Sequence, residues 1–288
     1  ALARYPREQK SQRGTEQDVI KAWKAEYKDR GWGTIARSDD KGQLGVPYAL
    51  FKAKNVTDPE VRKEKCCKAR PIVPTFKHPM RELLGLVGRA LYHVVRQMEG
   101  EHFIIDSTRE VPAFFRKVIG QFHDAELRAK VMDIEGCYPN MPKEVIRFAM
   151  RAILQEARRN GKEGVSVPKR SKSKPCTWKR CGGSYVWIGF ETMLEVLDFS
   201  LDQAIMRMKD GRLVRQVKGI PMGDALSPAM TIGTCAWMER EWMANTYGQP
   251  VPFTPTQGIH MGFARFRRGF ARFRGGFAGV SPLGGLAT

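Results

Sequence analysis

Apolar residues recur at the spacing of an amphipathic helix in several stretches of the chain. After Pro79, leucine and valine side chains repeat every three or four residues as far as Met98, which predicts a helix with one buried face. The same reasoning predicts further helices over residues 111–122, 142–154, 191–208 and 228–242. The pattern is therefore typical of a folded protein that contains several helices.

Shorter segments of the chain have the pattern of β-strands and turns. Residues 130–134 form a β-type run, with Asp133 near its end. Asp210 and Gly211 lie between two short strands, which predicts a β-hairpin. Residues 219–223 then predict a turn between this hairpin and the last helix. Helices interleaved with a small antiparallel sheet indicate the α+β class.

The charge balance of the chain changes the expected partners. It has 49 Lys and Arg residues against 30 Asp and Glu residues, a formal net charge of +19. A charge of this size favours polyanionic partners, nucleic acid above all. With 42% hydrophobic residues the chain has enough apolar side chains for a core, which excludes wholesale disorder.

Much of the excess charge lies in one segment. Residues 157–181 hold nine Lys or Arg and one Glu, with glycine, serine and proline among them, so a basic loop insertion is predicted over residues 157–184. The alternatives are a nucleic-acid contact and a solvated surface loop; residues 169–174 also predict a nuclear localisation signal. The candidate nucleic-acid-binding residues are Lys169, Arg170, Lys172, Lys174, Lys179 and Arg180.

The end of the sequence is repetitive. Gly-Phe-Ala-Arg-Phe-Arg begins at Gly262 and again at Gly269, which predicts a disordered Gly/Phe/Arg tail over residues 247–288. Arginine beside phenylalanine can bind single-stranded nucleic acid by charge and stacking, although a tail without a role is an equal alternative.

The cysteines and the apolar runs indicate the compartment. No signal sequence or membrane span is predicted, and the six cysteines are expected to be free thiols. Cys176 and Cys181 have the spacing of half a zinc site, but a second ligand pair does not follow. An intracellular protein that does not engage a membrane is expected.

Three short stretches carry candidate chemistry. Lys68 and Arg70 precede a rigid Pro-Ile step, and such cations can hold a triphosphate. Asp133 at a strand end could be a carboxylate ligand of Mg²⁺, although an aspartate taken singly is more often a cap or turn residue. Gly219 and Gly223 flank Ile-Pro-Met, which lets the backbone approach a ligand closely.

In this order and spacing the three stretches resemble the reverse transcriptase family. Asp133-Ile with Tyr138 looks like its first catalytic-aspartate motif, and residues 219–223 with Leu-Ser-Pro at 226–228 are similar to its next motif. The Cys-Tyr-Pro-Asn-Met-Pro run is most similar to retroelement and Penelope-like enzymes. The resemblance covers residues 68–246 and implies the fingers and partial palm of an incomplete right-hand polymerase. Residues 1–67 would be a basic extension leading into the fingers.

The resemblance also implies a reaction and a role for each matching residue. Asp133 would bind catalytic Mg²⁺ together with the carbonyl of Ile134, and Tyr138 would exclude the 2′-hydroxyl of a ribonucleotide. The incoming triphosphate would contact Lys68 and Arg70, and the nucleotide and template pocket would be lined by Gly219, Met222 and Gly223. The implied partners are an RNA template, a DNA primer and a deoxynucleoside triphosphate.

One family motif has no counterpart in this sequence. The family's other aspartates lie in a Tyr/Phe-x-Asp-Asp hairpin, whereas no aspartate follows Asp224 here. Because two Mg²⁺ ions need several carboxylates, a truncated and inactive reverse-transcriptase-like domain of a mobile element is expected. The alternatives are a non-catalytic nucleic-acid-binding protein on the same scaffold and an unrelated basic protein with coincidental motifs.

Overall fold

The computed structural model describes residues 9–11, 14–51, 69–98, 109–121, 137–170 and 174–246. The chain divides into two compact units. The first consists of Ala1–Glu101 and Gly136–Met238, and the second of His102–Glu135 and Glu239–Thr288. All strands of the described residues belong to the first unit.

Six helices of eight or more residues occur in the described ranges. Their bounds are Glu16–Asp29 (α1), Arg81–Arg96 (α2), Val111–Gln121 (α3), Lys143–Arg159 (α4), Phe190–Asp202 (α5) and Ser227–Thr246 (α6). Helix α1 begins with a capping box, in which Thr15 and Asp18 each accept a hydrogen bond from the other's backbone N–H. A 3₁₀ turn at Trp32–Thr34 and a single helical turn at Cys137–Asn140 complete the helical segments.

The strands form three small antiparallel sheets. Their bounds are Gln9–Ser11 (β1), Tyr48–Phe51 (β2), Ala69–Ile72 (β3), Gly164–Pro168 (β4), Tyr185–Gly189 (β5), Ile205–Arg207 (β6) and Leu213–Gln216 (β7). One sheet has the order β1-β7-β6, and the others are the pairs β2-β3 and β4-β5. Strand β6 runs into β7 through Gly211, whose φ of +85° matches the predicted hairpin.

The core of the first unit is built on α2, α4 and α5. Nine residues of α2 are buried, including Leu83, Leu91 and Val95. Helices α4 and α5 are joined by ion pairs at both ends: Arg147 Nε lies 2.7 Å from Asp198 Oδ1, and Arg158 pairs with the first turn of α5. The two helices therefore run antiparallel, with their apolar faces turned into the core.

Most elements predicted from periodicity are present. The helices expected after Pro79 and Pro142, the last helix and the hairpin are confirmed. The helix expected over residues 191–208 ends at Asp202, because Ile205–Arg207 pairs with β7 instead. The predicted strand at residues 130–134 and the repeat tail at 247–288 lie outside the described residues.

The basic segment differs from the predicted loop. Residues 157–159 end α4, and Gly164–Pro168 forms β4, which pairs with Tyr185–Gly189 over its whole length. All five residues of β4 are buried, so exposure does not alternate along the strand. Among the described residues, the part of this segment outside helix and strand is thereby reduced to residues 160–163, 169–170 and 174–184.

Among the described helices, none is both long enough and apolar enough to cross a membrane.

Candidate functional site

Three segments that are far apart in the sequence meet at the 219–223 turn. The backbone N–H of Val73, just after β3, donates to the carbonyl of Met222 at 2.8 Å. The N–H of Ile220 donates to the carbonyl of Tyr138, also at 2.8 Å. On the far side of the turn, Thr75 Oγ1 donates to the carbonyl of Gly223 at 2.8 Å. The structure thus brings the ends of all three predicted motifs into direct backbone contact.

Two glycines make this contact possible. Gly219 has a φ of +81°, and a Cβ atom there would lie 2.5 Å from the carbonyl oxygen of Tyr138 and 2.7 Å from the Cα of Pro139. Gly223 has a φ of +114°, and a Cβ atom there would overlap the carbonyl oxygen of Val73. Positive φ and the lack of space both require glycine. The sequence predicted that these glycines let a ligand approach the backbone closely; in the structure, the atoms that approach them are backbone atoms of the chain's own neighbouring segments.

A small, mostly apolar cavity with a few polar groups lies behind the turn. Its volume is about 40 Å³, and its lining includes His78, Ser200 and Asp224. His78 stacks on Trp23 with ring centroids 4.7 Å apart, and its Nδ1 accepts a hydrogen bond from the N–H of Met80. Burial lowers the pKa of His78 to about 4, so its imidazole is neutral at physiological pH.

The predicted nucleotide-site residues fall into two groups. Tyr138 and Met222 are half-buried, Gly219 is buried and Gly223 is exposed, all within the meeting point described above. The backbone of Arg70 lies in β3, opposite Leu50. The predicted residues Lys68, Asp133 and Ile134 lie outside the described residues, so the Mg²⁺ site remains a prediction. Within the described ranges, no group of three His, Cys, Asp or Glu side chains could hold a metal ion.

A large open groove runs along the polar face of α2. Its volume is about 850 Å³, and it is bordered by α2, the segments around residues 37–39 and 76–79, and the start of α6. The groove has two acidic residues, Asp39 and Glu82, and two aromatic ones, Phe76 and Tyr92. Its five cationic residues are Arg37, Arg81, Arg89, Lys169 and Arg170. An excess of three positive charges beside aromatic rings suits a single-stranded nucleic acid.

Specific hydrogen bonds place the cations of the groove. Arg89 Nη2 donates to the carbonyl of Pro168 at 2.7 Å, which ties the end of β4 to α2. The next two residues, Lys169 and Arg170, are thereby held at the groove, where both are exposed. Arg81 Nη1 donates to the carbonyl of Phe76 at 3.2 Å and so is oriented as well.

Residues 174–181 of the basic segment pack against the β4–β5 pair and its neighbours. Ser166 and Thr177 exchange two backbone hydrogen bonds, and Trp178 packs against His93 and Phe190. The guanidinium of Arg180 lies 4.8 Å from the ring centroid of Trp187, a cation–π contact. The side chains of Lys174 and Lys179 are exposed, and the predicted residue Lys172 lies outside the described residues. Of the six predicted cations, Lys169 and Arg170 border the groove.

Sequence reasoning missed three of the five groove cations, Arg37, Arg81 and Arg89. A usable signal existed in α2, because Arg81, Gly85 and Arg89 recur every four residues and therefore share the face opposite the apolar stripe. No comparable pattern marks Arg37, which reaches the groove from a loop.

No family model and no curated protein matches the chain. The solved structures that are similar to it include two of telomerase. One is telomerase from Candida Tropicalis in complex with a TWJ fragment of telomeric RNA, at 14% identity over 75% of this chain and a TM-score of 0.44. The other is apo telomerase from Candida Tropicalis truncated from its C-terminal domain, at 16% identity over 72% of this chain and a TM-score of 0.35. This chain spans 36% and 41% of their respective lengths.

Proposed function

We propose that the chain is the fingers and partial palm of a reverse-transcriptase-like domain from a mobile element. In the intact family such a domain performs Mg²⁺-dependent, RNA-templated nucleotide addition. The observation that carries the proposal is the contact of the 219–223 turn with Val73 and Tyr138. A polymerase must hold the triphosphate, sugar and base of one nucleotide at the same time, so the segments that carry these roles have to meet.

Each segment has its own part in the proposed site. Lys68 and Arg70, which shortly precede Val73 in the sequence, hold the triphosphate, since guanidinium and ammonium groups match phosphate oxygens. Tyr138 excludes the 2′-hydroxyl of a ribonucleotide. Met222 and Gly223 contact the nucleotide and its template base. Mg²⁺, held by Asp133 and the carbonyl of Ile134, would offset the charge that develops on the phosphates.

The Tyr/Phe-x-Asp-Asp motif that supplies the family's other aspartates has no counterpart within the 288 residues. Asp224 is the last aspartate in the sequence, and its Oδ1 and Oδ2 atoms accept hydrogen bonds from Leu226 N–H and Ser200 Oγ. Asp224 is thus engaged in holding the turn. We therefore propose that these residues alone bind nucleotide and nucleic acid without extending a primer.

The groove favours a second candidate function. A non-catalytic protein that binds single-stranded nucleic acid needs cations along a track and aromatic rings for stacking, and the groove has both. This function needs neither Asp133 nor a metal ion.

Binding and primer extension together test these proposals. A labelled single-stranded RNA should bind with an affinity that falls with salt, on a log–log slope of about −0.7 per phosphate contact. Changing Lys169 and Arg170 to Gln should reduce the slope by about 1.4, because two contacts are lost. The matched control changes Lys209 and Arg212, an exposed pair outside the groove, and should leave the slope unchanged.

The enzymatic measurements separate the two functions. With Mg²⁺, an RNA template and a DNA primer, the reverse-transcriptase-like chain should bind dTTP in preference to ribothymidine triphosphate, which differs from it only by the 2′-hydroxyl, and Tyr138→Ala should abolish that preference. Salt-dependent RNA binding without any dTTP binding would instead support the non-catalytic function. Primer extension by these residues alone would contradict the proposed inactivity, and Asp133→Ala should then abolish it.

A further inference from the structure

The 219–223 turn is attached at both ends to the last turn of helix α5. Before the turn, the buried ammonium of Lys143 donates to the carbonyl of Leu201 and, at 2.8 Å, to the carbonyl of Gln216. After the turn, the carboxyl of Asp224 accepts from Ser200 Oγ at 2.7 Å. Ser200 and Leu201 are consecutive residues, so one dipeptide of α5 holds both ends of the turn.

The chemistry of Lys143 suits this position. Its side chain is 7% exposed, and Leu201 lies among the last four residues of α5, whose carbonyls have no partner within the helix. A cation at a helix C-terminus also interacts favourably with the helix dipole. Burial lowers the pKa of Lys143, while among the charged groups that face it Asp202 and Glu144 oppose this effect and Arg147 and Arg215 add to it.

Asp224 provides the second attachment, through the hydrogen bonds that its side-chain carboxyl accepts. Its Oδ1 accepts from the N–H of Leu226 at 2.8 Å, just before α6 begins at Ser227. Its carboxyl therefore connects three elements: the turn, α5 and the start of α6. Burial raises the pKa of this carboxyl, and the hydrogen bonds from Leu226, Ser200 and Ala225 partly offset that rise.

We propose that Lys143 and Asp224 form a two-point clamp that sets the position of the 219–223 turn against Val73 and Tyr138. The hydrogen bonds of Lys143 and Asp224 connect the carbonyl of Leu201 and the hydroxyl of Ser200, both in α5, to the two ends of the turn. That the clamp places a nucleotide pocket correctly rests on the function proposed above. That the clamp holds the turn does not, since this claim concerns contacts within the chain alone.

Hydrogen exchange at single amides tests the clamp directly. The reporter amides are Val73 and Ile220, which donate across the meeting point, and the reference is Ser166, which donates within the β4–β5 region. Lys143→Met and Asp224→Ala should speed exchange of the reporters by about tenfold relative to Ser166, because each removes hydrogen bonds to a charged group. Asp224→Asn should restore protection, since its amide can make both contacts. The matched control is Asp210→Ala, in the exposed β6–β7 turn.

Unchanged reporter protection in both clamp variants would overturn the proposal, as would a failure of Asn to restore what Ala loses. A variant in which the Ser166 amide also exchanges faster has lost the fold as a whole. The test then rests on hydrogen exchange of the wild-type chain. In increasing urea, the amides of Val73, Ile220 and Leu226 should open with one common free energy and one common urea dependence. Independent opening of these three amides would refute the clamp.

Binding of dTTP with Mg²⁺ and primer–template to the same variants separates the clamp from the proposed function. If the reporter amides lose protection and the affinity for dTTP falls in the same variants, both the clamp and the proposed function are supported. Loss of protection with no dTTP binding even in the wild-type chain supports the clamp and contradicts the nucleotide site.

Discussion

Gly219 and Gly211 offer a controlled measurement of the contact between the turn and Tyr138. Their φ angles, +81° and +85°, are nearly equal, so alanine imposes almost the same backbone strain at both. Their surroundings differ completely. A Cβ at residue 219 would lie 2.5 Å from the Tyr138 carbonyl oxygen, whereas a Cβ at residue 211 would have no neighbour within 4 Å. The pair therefore isolates the effect of close packing.

The expected magnitudes follow from these two geometries. Gly211→Ala should lower the free energy of unfolding by about 1–2 kcal/mol, the cost of a left-handed conformation for an L-residue. Gly219→Ala adds the displacement of a backbone segment, about 1–3 kcal/mol more. Because Tyr138 and Pro139 present backbone atoms, no side-chain rotation relieves the overlap. The total for Gly219→Ala is about 2–5 kcal/mol.

Equilibrium urea unfolding measures both variants. Tryptophan fluorescence is a suitable signal, since Trp23 and Trp32 are buried in the first unit. As a third variant, Gly85→Ala on the groove face of α2 should stabilise the chain by about 0.5–1 kcal/mol, because it is helical and unobstructed. Equal losses for Gly219→Ala and Gly211→Ala, within about 0.5 kcal/mol, would refute the packing of the turn on Tyr138.

Two further predictions concern how the stability of the fold changes with pH, and the two changes have opposite directions. His78 has a folded-state pKa lowered to about 4, so it contributes stability that is present above pH 6.5 and lost as the pH falls toward 4. Urea unfolding should show up to about 3 kcal/mol of this loss, and His78→Gln should remove it. Asp224 has a raised pKa, so its ionisation destabilises the fold as the pH rises above the unfolded value of 3.8. Asp224→Asn should therefore be more stable than wild type at pH 7 and approach it near pH 4; a constant difference across this range would contradict the assignment.

Local patterns account for the elements whose partners are close in the sequence. The apolar stripe of α2 and the Asp210-Gly211 hairpin needed nothing beyond their own spacing. The end of α5 could not be located in this way, because Ile205–Arg207 leaves the helical pattern to pair with β7, to which β1 is also paired. Strand β4 was missed because it is buried on both faces and lies inside a basic segment.

In the candidate site, too, a local sequence pattern marks some residues, whereas others depend on partners far away in the sequence. Gly219 and Gly223 were recognisable, because glycine around Ile-Pro-Met is an unusual local pattern. Lys143 has no such signal: it follows a proline at the start of an amphipathic helix, where a lysine ordinarily faces solvent. Its role depends on the carbonyls of Leu201 and Gln216, which are 58 and 73 residues away in the sequence.

The distribution of charge matters more for nucleic-acid binding than the net value of +19. At physiological ionic strength the Debye length is about 8 Å, so exposed cations farther from a bound phosphate contribute little. The groove draws Lys169 and Arg170 from the basic segment, while Arg37, Arg81 and Arg89 come from elsewhere in the chain. A cation count along the sequence would favour the segment and the repeat tail. The folded chain instead concentrates an excess of three charges where Phe76 and Tyr92 also lie, and this local combination is what a single strand would recognise.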